Sequence, residues 1–111
     1  MRFGMYAKLV AKPGERDALT PILLRGVEGM RAYGCHLYVV NHALDHPDAV
    51  WVTEVWESRE AHAASLQLPE TRQAIAEAMP LLTGECQSIE LNVVGGLGVP
   101  QEGVSDPQPK A

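Results

Sequence analysis

Apolar and polar residues alternate from Phe3 to Lys12, with Phe3, Met5, Ala7, Leu9 and Ala11 on one side and Gly4, Tyr6, Lys8, Val10 and Lys12 on the other. A period of two predicts a strand, and the wholly apolar first side predicts that it faces a core. Pro13-Gly14 ends it. The period then changes to helical spacing through Ala18, Leu19, Ile22, Leu23, Val27 and Met30. Pro21 falls inside that run, where a proline lacks its amide hydrogen and collides with the preceding turn. Thr20 as N-cap with Pro21 at the first helical position resolves the conflict, leaving Glu15 to Leu19 as a preceding turn or kinked segment. Gly34 closes the helical region.

Cys35 to His42 reads as a second strand, and the turn-rich Asp45-His46-Pro47-Asp48 leads to a third over Val50 to Glu57, rich in Val and Trp. Ser58 is a good N-cap for a short helix through about Gln67. Pro69 opens another through about Met79, and Pro80 ends it. After a Thr83-Gly84 turn, Gln87 to Val94 supplies a last strand with Ile89, Leu91 and Val93 on one face. Residues 1–95 form one domain, and the Gly/Pro-rich stretch 96–111 is expected to be a flexible C-terminal tail. The order strand, helix, strand, strand, helix pair, strand is the split βαβ pattern of an α+β, ferredoxin-like fold. Strand three is apolar on both sides, Trp51 and Val55 on one and Val50, Val52 and Trp56 on the other. Helices cover only one side, so a sheet from an identical subunit is expected to cover the other, giving a homodimer.

At 111 residues there is room for one domain and none for a separate cofactor domain. A net charge of −5 without a basic cluster argues against nucleic-acid binding. No apolar run approaches a membrane span, and the N-terminus lacks the order of a signal peptide, which points to the cytoplasm. Cys35 and Cys86 form no CxxC or Cys/His metal spacing, and they fall on opposite edges of the expected sheet. With only six aromatic residues, a large pocket must be walled mainly by Leu, Val, Ile, Ala and Met.

Ala11-Lys12-Pro13-Gly14 after the first strand, Gly34-Cys35 with Leu37-Tyr38 entering the second, and Glu54-Val55-Trp56-Glu57-Ser58 running into Glu60-Ala61-His62 carry a resemblance. So do Ser65-Leu66, Pro69 and Met79-Pro80-Leu81-Leu82. From about Phe3 to Gly96 the chain resembles the antibiotic biosynthesis monooxygenase (ABM) family, and most closely its quinol monooxygenase type. That resemblance implies a dimeric α+β barrel and oxygenation of an electron-rich aromatic by dioxygen without flavin, haem or metal. The chemistry requires loss of a substrate proton, a dry pocket that admits dioxygen, and donors for the developing peroxide. The chain carries no GxGxxG opening a helix, no P-loop and no ligand cluster. It departs from the family in having Ser65 and Glu70 where many members place histidines. His62, one helical turn before Ser65, is the available substitute. The haem-degrading branch resembles the chain less: Met5-Tyr6-Ala7-Lys8 has no Asn, Ser65 stands at its Trp position, and Thr71 to Met79 has no His.

Candidate site residues follow from their chemistry. His62, as an imidazole, suits a base, or is a partly exposed helix histidine. Glu54 shares a strand face with Trp56 and is a second candidate base, or pairs with Lys8 or an arginine. Trp56 is core, a wall on which an aromatic substrate stacks, or both. His36, Tyr38 and His42 fall on one face of the second strand, at alternating spacings of roughly 7 Å. They line a groove or form a solvated edge, and the two histidines are too far apart to chelate one ion. Ser65 is a hydrogen-bond donor to substrate or peroxide, or a small packed helix residue. Two functions fit: a cofactor-free monooxygenase of a quinol-like or polycyclic phenolic molecule, with His62 or Glu54 as base and Trp56 and Tyr38 shaping the pocket, or a non-catalytic dimeric module that binds a small hydrophobic metabolite.

Overall fold

The computed structural model describes residues 2–99. Their order is β1 (Arg2–Ala11), α1 (Arg16–Leu24), a 3-10 segment (Val27–Tyr33), β2 (Cys35–His42), β3 (Ala49–Trp56), α2 (Arg59–Ser65), α3 (Pro69–Ala78), a short 3-10 turn (Met79–Leu81) and β4 (Leu82–Val93). The four strands form one antiparallel sheet in the order β2-β3-β1-β4, the ferredoxin-like arrangement, with α1, α2 and α3 on one face. Ser58 caps α2 as its spacing predicts, its Oγ accepting the Ala61 amide at 3.0 Å. Pro69 opens α3.

Three elements differ from the sequence reading. α1 begins at Arg16 and runs through Pro21 rather than starting there. Its start is held by Arg16, whose guanidinium donates to the carbonyls of Ala43, His46 and Ala49 at 3.1–3.3 Å. These long-range bonds fix the first turn ahead of the proline, so local propensity does not set the boundary. The helical period does not continue to Met30: Gly26, at φ 74°, breaks it, and a 3-10 segment follows. β4 begins at Leu82, because Thr83-Gly84 is not a turn before the strand but part of a bulge within it. Between Leu9 and Ala11 of β1 the partner strand steps from Cys86 to Leu82, and Gly84 adopts φ 91° to absorb the surplus. Thr83 Oγ1 donates to the Val10 carbonyl and accepts the Glu85 amide, replacing ladder bonds lost there.

β3 carries Val50, Val52, Glu54 and Trp56 toward the helices and Trp51, Thr53 and Val55 away from them. Beneath the helices, Ala11, Leu19, Val50, Val52 and Ala78 form one core cluster, and Phe3, Cys35 and Trp56 form another. The opposite face has no covering element among the described residues. Tyr6, Val39, Ile89 and Leu91 lie on it exposed, and the Lys8 ammonium sits over the Trp51 ring at 5.8 Å. Gly4 leaves room on this face for Val93 of the adjacent β4, because a Cβ there would stand 2.6 Å from Val93 Cγ2.

A second bulge lies in β2. Cys35 pairs with Trp56 and Leu37 with Val55, so two residues of β2 oppose one of β3. His36 is the surplus residue, and the expectation that it shares a face with Tyr38 and His42 is corrected: the bulge turns it out to Glu57 Oε2, 2.6 Å away. That bond, with Arg2 nearby, holds the Glu57 carboxyl below its usual range.

Both cysteines are free, Cys35 buried and Cys86 exposed, on opposite edges of the sheet. Burial pushes the Cys35 thiol up to about 11, leaving roughly one molecule in a thousand as thiolate at pH 8. A disulfide reagent at pH 8 is therefore expected to titrate one thiol per native chain at once and the second only on unfolding; two fast thiols would contradict the packing of Cys35. No helix among the described residues is long and apolar enough to cross a membrane. Of the flexible tail expected at 96–111, Gly96 and Val99 form an isolated bridge, and residues 100–111 lie outside the described residues.

Candidate active site

Between the sheet and the helices lies a cavity of about 600 Å³, within the range of small-molecule sites. Its floor is the inner face of the sheet, with Leu9, Tyr38, Glu54 and Trp56. One wall comes from α1 and the 3-10 segment, through Ile22, Leu23, Met30 and Tyr33. The other comes from α2 and α3, through His62, Ser65, Ala74 and Ile75. Aliphatic side chains and Met dominate it, as the scarcity of aromatics requires. Arg25 stands at the lining, its guanidinium engaged by both carboxylate oxygens of Glu77 at 3.2 and 2.8 Å.

The polar groups converge at one point. Trp56 Nε1 donates to Glu54 Oε1 at 2.9 Å, and His62 Nε2 lies 3.8 Å from the same oxygen. The side chains of Glu54 and His62 are each only 13% exposed. The imidazole is wedged between rings, with centroids 5.3 Å from Phe3 and 5.5 Å from Trp56. Strand alternation explains half of this arrangement, since positions 54 and 56 share a face. The Ser58 cap explains the other half, because it starts α2 where residues 62 and 65 face the sheet. A carboxylate beside an imidazole in an apolar cavity can accept a proton and stabilise the resulting cation.

The remaining candidates are placed as follows. Among the described residues Glu54 pairs with Trp56 and His62, not with Lys8 or an arginine; Lys8 is on the other sheet face. Trp56 is 1% exposed, so it is core whose edge reaches the cavity rather than an open stacking platform. Tyr38 is on the floor, directly across the ladder from Glu54. Burial, reinforced by the Glu54 charge, raises its phenol well above the ordinary tyrosine range. Ser65 lines the cavity, but its hydroxyl donates to the His62 carbonyl at 2.6 Å, so its proton is committed to the backbone. His42 lies outside the cavity, with Nε2 2.8 Å from Thr20 Oγ1. His36 also lies outside, beyond the bulge. No group of three or more His, Cys, Asp or Glu side chains among the described residues is arranged to hold a metal ion. The wall supplied by α1 and the 3-10 segment was not among the expected site residues. Its apolar spacing was visible in the sequence, but the same spacing describes any helix packed on a sheet.

A family model for antibiotic biosynthesis monooxygenases matches residues 2–77. A solved structure from Chloroflexus aurantiacus that carries the same family name is 45% identical, with 86% of this chain and 96% of that one covered and a TM-score of 0.77. One from Deinococcus radiodurans, named likewise, is 26% identical, covering 86% and 95% with a TM-score of 0.71. Rv0793 from Mycobacterium tuberculosis shares the fold at 23% identity, covering 86% and 98% with a TM-score of 0.74. No curated protein matches the sequence.

Proposed function

Because the chain belongs to the antibiotic biosynthesis monooxygenase family, we propose that it oxidises a quinol-like or polycyclic phenolic molecule with dioxygen, without a cofactor. The observation that carries this reading is the Glu54–His62–Trp56 cluster at the floor of an otherwise apolar cavity. His62 takes the hydroxyl proton of the substrate, and Glu54, oriented by the Trp56 indole, stabilises the imidazolium. The electron-rich anion then reduces dioxygen. One oxygen atom ends on a ring carbon, the other leaves as water, and the ring supplies all four electrons in becoming a quinone. Aliphatic walls exclude water from the anion and from the reduced oxygen. Glu54 and Glu70 line the cavity, and Arg25 is committed to Glu77. An uncharged substrate is therefore favoured over a carboxylated one.

The test is oxygen consumption with a panel of dihydroxynaphthalenes and anthrone, using protein freed of metal and flavin. Acceleration is expected, and His62→Ala is expected to lower the rate at least tenfold. Ligand binding with no acceleration across the panel would replace the enzyme by a binding module.

Homodimerisation belongs to the same proposal. It is supported by the uncovered sheet face, where Ile89 and Leu91 are 59% and 47% exposed beside Tyr6 and Val39. Sedimentation is expected to give twice the chain mass, and Leu91→Glu to shift the protein to monomer. A wild-type monomer at micromolar concentration would refute the paired-sheet arrangement.

A further inference from the structure

The Tyr38 hydroxyl has no place in the proton transfer just described. Its ring packs against both core clusters, which fixes its direction, and it lines the cavity. The hydroxyl makes no hydrogen bond among the described residues. It is also not among the fully enclosed, unbonded side-chain oxygens of the described residues, so it opens onto the cavity that Tyr38 lines. The β2–β3 ladder sets Tyr38 opposite Glu54, with Cβ atoms about 5 Å apart on the same face. Three other donors at the cavity are engaged: Ser65 donates to a backbone carbonyl, Trp56 Nε1 to Glu54, and Arg25 to Glu77.

We propose that Tyr38 is a catalytic hydrogen-bond donor, its phenol binding the substrate oxygen that gives up its proton to the Glu54–His62 pair. This inference rests on the proposed oxygenase reading. Its physical basis is that a base alone leaves an oxyanion facing a carboxylate in an apolar cavity, an arrangement that favours the proton's return. A neutral donor beside the base reverses that preference, as in oxyanion holes generally. Burial and the Glu54 charge both keep Tyr38 protonated, so the donor persists throughout the neutral range. The bulge at His36 is what permits Tyr38 and Cys35 to face inward together.

Ionisation of a bound probe tests this without requiring oxygenation. 4-Nitro-1-naphthol, whose anion absorbs visible light, is titrated with pH in the presence of saturating wild-type protein and saturating Tyr38→Phe. The variant is expected to lower the ionisation constant of the bound probe about tenfold and to weaken naphtholate binding similarly. Binding of 1-nitronaphthalene, which lacks the hydroxyl, should not change. Equal ionisation in the two proteins overturns the proposal. With an oxidisable substrate, Tyr38→Phe is expected to lower kcat at least tenfold with little change in KM. If the wild type oxidises nothing in the panel but Tyr38→Phe still alters probe ionisation, the oxygenase reading falls and the donor stands. If oxidation proceeds and ionisation is unaltered, the donor falls alone. Should Tyr38→Phe fail to fold, the 13Cζ resonance of Tyr38 in wild-type protein, assigned by Tyr6→Phe and Tyr33→Phe, must move when the probe binds; a stationary resonance overturns the proposal.

Discussion

Glu54→Gln is expected to lower kcat/KM for a phenolic substrate by at least a hundredfold, a larger loss than His62→Ala. The reason lies in the geometry. Glu54 Oε1 accepts from Trp56 and lies 3.8 Å from His62, so the carboxylate serves either route of proton removal. Without His62, Glu54 still faces the cavity and can accept the proton itself, less effectively. Without the carboxylate, His62 loses the anion that stabilises its protonated form, and the amide offers no basic site in its place. General-base contributions of about 10²- to 10⁴-fold set the scale. Glutamine is close in shape and its carbonyl oxygen can still accept from Trp56, so stability should change little. Turnover measured together with thermal unfolding checks both halves. A Glu54→Gln variant retaining more than a tenth of wild-type activity would remove the carboxylate from the mechanism.

The second large effect is on stability. Trp56→Ala is expected to cost about 3–5 kcal/mol, the range for truncating a buried aromatic. Trp56 is the largest of the fully buried side chains, joined in its cluster by Phe3 and Cys35 and packed edge-on to His62. Its loss also leaves Glu54 Oε1 without its indole donor in a mostly buried setting, which adds an electrostatic cost. At roughly 4–8 °C per kcal/mol for a domain of this size, the melting temperature should fall by more than 10 °C. Thermal unfolding at fixed protein concentration measures it. A fall below about 5 °C would mean that the indole is not the keystone of that cluster.

The fold and the site were legible in the sequence to different degrees, for physical reasons. β2 and β3 follow directly from alternation and β-branched content, and the shared face of Glu54 and Trp56 follows from the strand period alone. α2 is announced by Ser58, and His62 with Ser65 follows from its start. The start of α1 was hidden because it depends on Arg16 reaching carbonyls about 30 residues away, a contact that no local propensity encodes. Both bulges were hidden for a related reason. One surplus residue in β2 depends on which partner each residue finds, not on its own preference, and it separated His36 from Tyr38. Likewise Thr83-Gly84 has turn composition, and only the facing carbonyl of Val10 makes it part of a strand. The commitment of the Ser65 proton to the His62 carbonyl is a matter of a single hydroxyl rotation, which sequence does not specify.

The bulge in β2 also separates two kinds of change the chain can accept. Deleting almost any residue from an inner strand inverts every side chain beyond the cut. Deleting His36 does the opposite: it restores one-to-one pairing, with Cys35 still opposite Trp56, Leu37 opposite Val55 and Tyr38 opposite Glu54. The outward-facing hydrogen bond with Glu57 would disappear while the inward-facing residues kept their neighbours. Position 36 is thus a natural splice point, where chain length can vary and a new side chain can be presented to the surroundings without resetting the cavity behind it.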